Sequence, residues 1–103
     1  MGNDKQDLLK ISKELVSLAA SKAASNVSGV NQEKGVKITH GKEGFIIDVY
    51  VIADFGVKIP QLAWDIQNSV KEAVFTATKA AVKAVNIHVQ GVMMPREGSR
   101  LNG

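Results

Sequence analysis

The sequence predicts an α+β fold: a two-layer sandwich in the order α-β-β-α-β, with a three-stranded mixed sheet packed by two helices. Two observations predict it. Apolar residues recur at three- and four-residue spacing in two long segments, as in amphipathic helices, and alternate with polar residues in three others, as in strands. The 103 residues fit one domain, which we expect to span residues 1–94. Residues 95–103 are then a flexible polar tail.

The first helix is predicted over Asp4–Ala24, where an aspartate can cap or charge the first turn. One apolar stripe consists of Leu8, Ile11, Leu15 and Leu18. A second set widens it to roughly half of the helix circumference, at about 100° per residue: Leu9, Val16, Ala20 and Ala23. A stripe this wide must contact two neighbouring elements, or one neighbour and a partner.

Two strands are predicted after the first helix. Ser, Asn and Gly residues make Asn26–Gly35 a turn-rich connection, which leads into a short strand over Val36–His40. Gly41–Gly44 turns the chain into a long strand over Phe45–Asp54. Because the second face of this long strand is still half apolar, we expect the strand to be central in the sheet.

The second helix is predicted over about Gln61–Ala81, after a turn bracketed by Gly56 and Pro60. Its expected core stripe has near-four spacing and consists of Leu62, Ile66, Val70, Ala73, Ala77 and Ala81. The last strand, Val85–Met93, alternates apolar residues with Asn86, His88 and Gln90. The order of the three strands in the sheet is left open.

The residue inventory favours a protein that is not an enzyme and needs no cofactor or metal. There is no cysteine, and two histidines are too few ligands for a zinc site. Serine-nucleophile and phosphate-binding motifs are missing from the sequence. The net charge of +3 makes nucleic acid an improbable partner.

The sequence also favours a cytoplasmic protein. The first residues, Met1–Asp7, are polar and carry no secretory signal pattern. The apolar runs are only a few residues long, whereas crossing a bilayer takes about 20. Any membrane association is then peripheral or through another protein.

The candidate interaction surface lies on the second helix, nearly opposite its core stripe. On a helix continued to residue 82, Trp64, Lys71, Phe75 and Val82 fall within roughly 60° of one another. Exposed aromatic clusters mark protein interfaces, including those of homo-oligomers. Two interpretations stay open: the first helix covers this surface through Leu9 and Val16, or those residues join it in binding a partner.

The chain resembles the alkaline-shock-protein family, the envelope stress response proteins of Gram-positive bacteria. The resemblance rests on DVYVIADFGVKIP, the helical run IQNSVKEAV and the final VNIHVQGV, in that order, and covers about residues 8–93. It departs from the family at Phe55, where Tyr is more usual, and after Phe75, where no Gly ends the helix.

The resemblance implies a small, non-enzymatic scaffold or regulatory protein of cell-envelope stress homeostasis. Such proteins act by protein–protein association, sometimes through a membrane-anchored partner, and the family offers no catalytic residue. Its link to fatty-acid metabolism suggests one alternative, a module that binds a small molecule or acyl chain between helix and sheet. A second alternative is weak nucleic-acid binding on the sheet face that carries Lys37, Thr39, Tyr50 and His88.

Overall fold

The computed structural model describes the backbone of residues 3–95 and the side chains of residues 13–95. Two helices pack on one face of a three-stranded sheet, which confirms the predicted α+β fold. In chain order the elements are α1 (Asn3–Ser25), β1 (Val30–Gly41), β2 (Gly44–Asp54), α2 (Ile59–Thr78) and β3 (Val82–Met93). Residues 96–103, most of the predicted tail, lie outside the described residues.

The sheet has the order β1-β2-β3, so β2 is central, as its half-apolar second face predicted. β2 pairs antiparallel with β1 through a hairpin and parallel with β3, with α2 as the connection between the parallel strands. This parallel pairing places His88 directly beside Tyr50 and Asn86 beside Asp48.

The first strand begins at Val30, so the prediction of a connection over Asn26–Gly35 was wrong for its second half. Residues 30–35 pair with the end of β2, but the register shifts between Val30 and Gln32 and again between Glu33 and Gly35. Each shift interrupts the two-residue alternation by which a strand is recognised in a sequence. At the second shift Gly35 has φ 126°, a conformation that favours glycine.

The second helix ends at Thr78, three residues before the predicted Ala81. Lys79 adopts the left-handed conformation (φ 59°) and donates its backbone N–H to the carbonyl of Phe75 at 2.8 Å. The Thr78 hydroxyl donates to the carbonyl of Val74 at 2.8 Å and accepts the N–H of Ala80 at 3.1 Å. A lysine thus terminates the helix where a glycine is usual, and β3 begins at Val82.

The core lies between the sheet and the two helices. The inward face of β2 is buried along its whole length and meets buried residues of both helices. The buried residues of α2 are Leu62, Ile66, Val70 and Val74, and those of α1 are Val16, Ala20 and Ala24. The prediction that Ala73, Ala77 and Ala81 belong to the core stripe was wrong. The predicted stripe stepped by three residues from Val70 to Ala73, whereas the buried series continues by four residues to Val74. Ala73 is only partly buried, and Ala77 and Ala81 are exposed.

Among the described residues, no helix combines the length and the apolar character needed to cross a bilayer.

Candidate functional site

The outward side of α2 carries two exposed aromatic side chains. Trp64 is 59% exposed and Phe75 is 57% exposed, although the same helix buries four large aliphatic residues on its other side. Eleven residues separate them, which is about three turns and roughly 16 Å of helix rise. Lys71, also exposed, lies on the same line between them. We call Trp64, Lys71 and Phe75 the aromatic ridge.

A positive charge accompanies the ridge at its carboxyl end. The ammonium of Lys79 lies 5.0 Å from the centre of the Phe75 ring, within the range of a cation–π contact. The left-handed backbone of Lys79, which ends the helix, brings this side chain back over the ring. With Lys71, the ridge therefore combines aromatic surface with two cations.

The first helix lies beside α2 and leaves the ridge open. It turns Val16, Ala20 and Ala24 into the core, where all three are fully buried. The structure thus corrects the assignment of Val16 to the interaction surface, because Val16 has no exposed surface to offer. The side chain of Leu9, the other residue assigned from this helix, lies outside the described residues.

Val82 also leaves the predicted surface. Because α2 ends at Thr78, Val82 is the first residue of β3, pairs with Phe45 and packs in part against the core. Its placement beside Trp64 assumed four further helical residues and was wrong. The ridge consequently retains three of the six residues that the sequence indicated.

The structure exposes two leucines of the apolar stripe that the sequence predicted on α1. Leu15 is 44% exposed and Leu18 is 67% exposed, on the side of α1 that faces away from the sheet. The valine and alanine side of the apolar stripe on α1 thus packs into the core. The described residues leave its leucine side uncovered. The breadth of the stripe predicted contact with two neighbouring elements, or with one neighbour and a partner. It did not indicate which side of the helix is buried.

A groove runs between the two helices next to these leucines. Its apolar part, about 420 Å³, is bordered by Leu15 and Leu18 and floored by alanines. The adjoining part, about 750 Å³, extends toward Asp65 and Glu72 on α2. Both parts share Ala23, Asn26, Ala73 and Ala77. We call the two parts together the interhelical groove.

The open face of the sheet carries a polar cluster centred on Asp48. The Nε2 atom of His88 lies 2.8 Å from Asp48 Oδ1, and the Asn86 amide donates to the same oxygen at 3.2 Å. The hydrogen bond from His88 is the largest cause that holds the pKa of Asp48 below its ordinary value. The ring of His88 also stacks on that of Tyr50, with centroids 4.5 Å apart.

This cluster brings together the residues of the nucleic-acid alternative, since Lys37, Thr39, Tyr50 and His88 share the open face. The carboxylate of Asp48 stands among them, however, and the stacking of His88 occupies one face of the Tyr50 ring. Among the described residues, no group of three or more His, Cys, Asp or Glu side chains could hold a metal ion.

The acyl-chain alternative places its ligand between helix and sheet. That layer is filled by one apolar cluster, in which Ile47, Val49, Ile66 and Val70 are fully buried. An acyl chain would have to displace these side chains in order to enter.

Comparisons with known proteins agree with the resemblance seen in the sequence. Residues 30–94 match the model of the alkaline shock protein 23 family, described as having a cell envelope-related function. The chain is similar to YqhY of Bacillus subtilis (strain 168), with 30% identity over 102 aligned residues, 82% of this chain and 76% of YqhY. It is also similar to YloU of the same organism, with 31% identity over 104 residues, 82% of this chain and 87% of YloU.

A solved structure of the MamM CTD shares the fold. Its TM-score is 0.55 at 19% identity, over 76% of this chain and 93% of that one. At this identity the structural likeness concerns the fold alone. The match to the family model covers more than half of the chain. The chain therefore belongs to the alkaline shock protein 23 family, whose function is related to the cell envelope.

Proposed function

We propose that this chain is a non-enzymatic scaffold or regulatory protein of cell-envelope stress homeostasis, which acts by binding another protein through the aromatic ridge. The observation that carries the proposal is the exposure of Trp64 and Phe75 on a helix whose opposite side already supplies the core. An aromatic side chain at the centre of an interface contributes about 2 kcal/mol or more to binding. Two such residues on one rigid helix form a plausible pair of binding determinants.

The chemistry of the interior supports association over catalysis. The buried residues of the described part are all apolar, and none is polar or charged. Enzymes usually place ionisable groups in a cleft where burial shifts their pKa values. The polar cluster around Asp48 lies instead on the open face of a sheet.

The cellular location in this proposal is the cytoplasm, with peripheral attachment to the inner membrane face through a partner. The cell envelope-related description of the family supports attachment near the membrane. The partner would then supply the membrane anchor, and the ridge would supply the contact with that partner.

Substitution of both ridge aromatics tests the proposal. The double variant Trp64→Ala/Phe75→Ala and the wild type are compared by light scattering after size exclusion and by pull-down from a membrane-containing lysate. We expect the variant to unfold cooperatively, as the wild type does, but to lose self-association or captured partners. Phe55→Ala is the matched control, because Phe55 is an exposed aromatic outside α2.

Two results would refute the proposal. If the double variant retains every association of the wild type, the ridge is not the contact surface. If it fails to fold while Phe55→Ala folds, the two aromatics stabilise the fold and do not form an interface.

A further inference from the structure

The interhelical groove has an apolar half and an acidic half. Leu15, Leu18 and the stem of one charged residue, Lys22, border the first half, over a floor of Ala19, Ala73 and Ala77. Small side chains on the floor let another backbone approach both helices closely. The apolar half is therefore shaped to receive large aliphatic side chains from outside.

The acidic half carries uncompensated negative charge. Its described lining includes Asp65 and Glu72 and no lysine or arginine, and the one cation among the described residues that line the groove, Lys22, belongs to the apolar half. Asp65 accepts a hydrogen bond from the neutral amide of Gln61 at 2.9 Å, and neither carboxylate forms an ion pair within residues 13–95. The chain as a whole has a net charge of +3, so this acidity is local. A basic group would complement it.

The dimensions of the groove suit a helix. Its lining on α2 runs from Asp65 to Ala77, thirteen residues that span about 18 Å of helix rise, which matches about three turns of a partner helix. A helix laid in the groove between two helices is a common mode of peptide recognition, with large apolar residues at three- and four-residue spacing as its anchors.

From these features we infer that the interhelical groove binds an amphipathic helix of a partner protein, with leucine-like residues against Leu15 and Leu18 and a lysine or arginine against Asp65 and Glu72. The inference rests on the proposed function in that the partner is a protein. It concerns a surface separate from the aromatic ridge, so either one can fail without the other.

Other occupants fit the charge pattern less well. An anionic lipid surface would be repelled by Asp65 and Glu72. A second copy of the chain, paired groove to groove about a two-fold axis, would bring its carboxylates against these carboxylates, or against the leucines with Lys22 as the one cation for two carboxylates. A helix that is apolar at one end and basic at the other avoids both conflicts.

Designed peptides test the inference. One 16-residue helical peptide carries leucines at three- and four-residue spacing in one half and lysines in the other half. Its matched partner has glutamate in place of each lysine. We expect the lysine peptide to bind the full chain, by fluorescence anisotropy at low salt, at least about tenfold more tightly than the glutamate peptide. Methyl chemical shifts of Ala23, Ala73 and Ala77 should move on binding.

A charge swap makes the test specific to the groove. Glu72 is exposed, so Glu72→Lys should fold normally. We expect this variant to weaken binding of the lysine peptide about five- to tenfold and to strengthen binding of the glutamate peptide. Trp64→Ala/Phe75→Ala should bind the lysine peptide as the wild type does, because the ridge lies on another side of α2.

The inference is overturned if neither peptide binds, if both bind equally well, or if Glu72→Lys leaves the preference unchanged. Methyl shifts confined to residues outside the groove would overturn it as well. In each of these cases the proposed function stands as long as the ridge variant still loses its associations.

Discussion

The Nε2 atom of His88 lies 2.8 Å from the Oδ1 atom of Asp48, across the parallel pairing of β2 and β3. A carboxylate whose pKa is lowered is ionised near neutral pH and can only accept, so Nε2 carries the proton of this hydrogen bond. The contact joins the central strand to an edge strand on the open side of the sheet. It also gives stability a defined dependence on pH.

Asp48→Asn should remove that dependence. The folded-state pKa of Asp48 is lower than its ordinary value of 3.8, so its contribution to stability is present above that value. The contribution is lost as the pH falls through the lowered pKa. We expect Asp48→Asn to be less stable than the wild type at pH 7 and the difference to shrink below about pH 4, in urea unfolding followed by circular dichroism. If the difference in unfolding free energy between the two proteins stays constant across this range, the contact does not depend on the ionisation of Asp48.

Gly44→Ala should destabilise the fold more than Gly56→Ala. Both glycines have positive φ, 136° at Gly44 and 95° at Gly56. A Cβ at Gly44 would lie 2.7 Å from the backbone oxygen of Ala81, whereas a Cβ at Gly56 meets nothing within 4 Å. Gly56→Ala therefore reports the backbone strain alone, about 1 kcal/mol, and Gly44→Ala adds a clash with the backbone. Equal losses in the free energy of unfolding would contradict this account of the turn.

Lys79→Gly should stabilise the protein. Lys79 adopts φ 59° at the end of α2, where glycine avoids a cost of roughly 1–2 kcal/mol. The substitution also removes the contact of Lys79 with the Phe75 ring, which contributes about 0.5–1 kcal/mol. We expect a net gain of about 0.5 kcal/mol in the free energy of unfolding, measured in urea. Lys79→Val is the control and should lose stability, because a β-branched residue tolerates this conformation poorly.

Ile66→Ala and Leu18→Ala should differ sharply, although both residues were assigned to apolar stripes. Ile66 is fully buried, so its truncation should cost about 2–5 kcal/mol. Leu18 is 67% exposed, so its truncation should change the free energy of unfolding by less than about 0.5 kcal/mol. Similar large losses for both would place Leu18 in the core and close the interhelical groove.

The sequence predicted the elements correctly where apolar residues recur at regular strand or helix spacing. The alternation from Phe45 to Ala53 gave the central strand with nearly correct ends, because one complete face of it is buried. The start of β1 was missed because two register shifts hide the alternation before Gly35. The end of α2 was misplaced because alanine and valine suit either state, and the left-handed Lys79 leaves no mark in the sequence.

The candidate site was predictable only in part. Helical spacing alone aligned Trp64, Lys71 and Phe75, and the structure places all three on the exposed side of α2. Spacing could not reveal which side of α1 faces the sheet. Leucine is the larger residue, yet the close approach of α1 to its neighbours selects Val16, Ala20 and Ala24 for the core. The interhelical groove follows from that choice and is visible only in three dimensions.

The central claim is that the aromatic ridge contacts another protein, and site-specific photocrosslinking tests it most directly. A photoreactive phenylalanine analogue is placed in turn at Trp64, at Phe75 and at Thr39, which is exposed on the opposite face of the sheet. After irradiation in a membrane-containing lysate, we predict the same discrete protein adduct from positions 64 and 75 and none from position 39. No adduct from either ridge position, or the same adduct from position 39, would contradict the account.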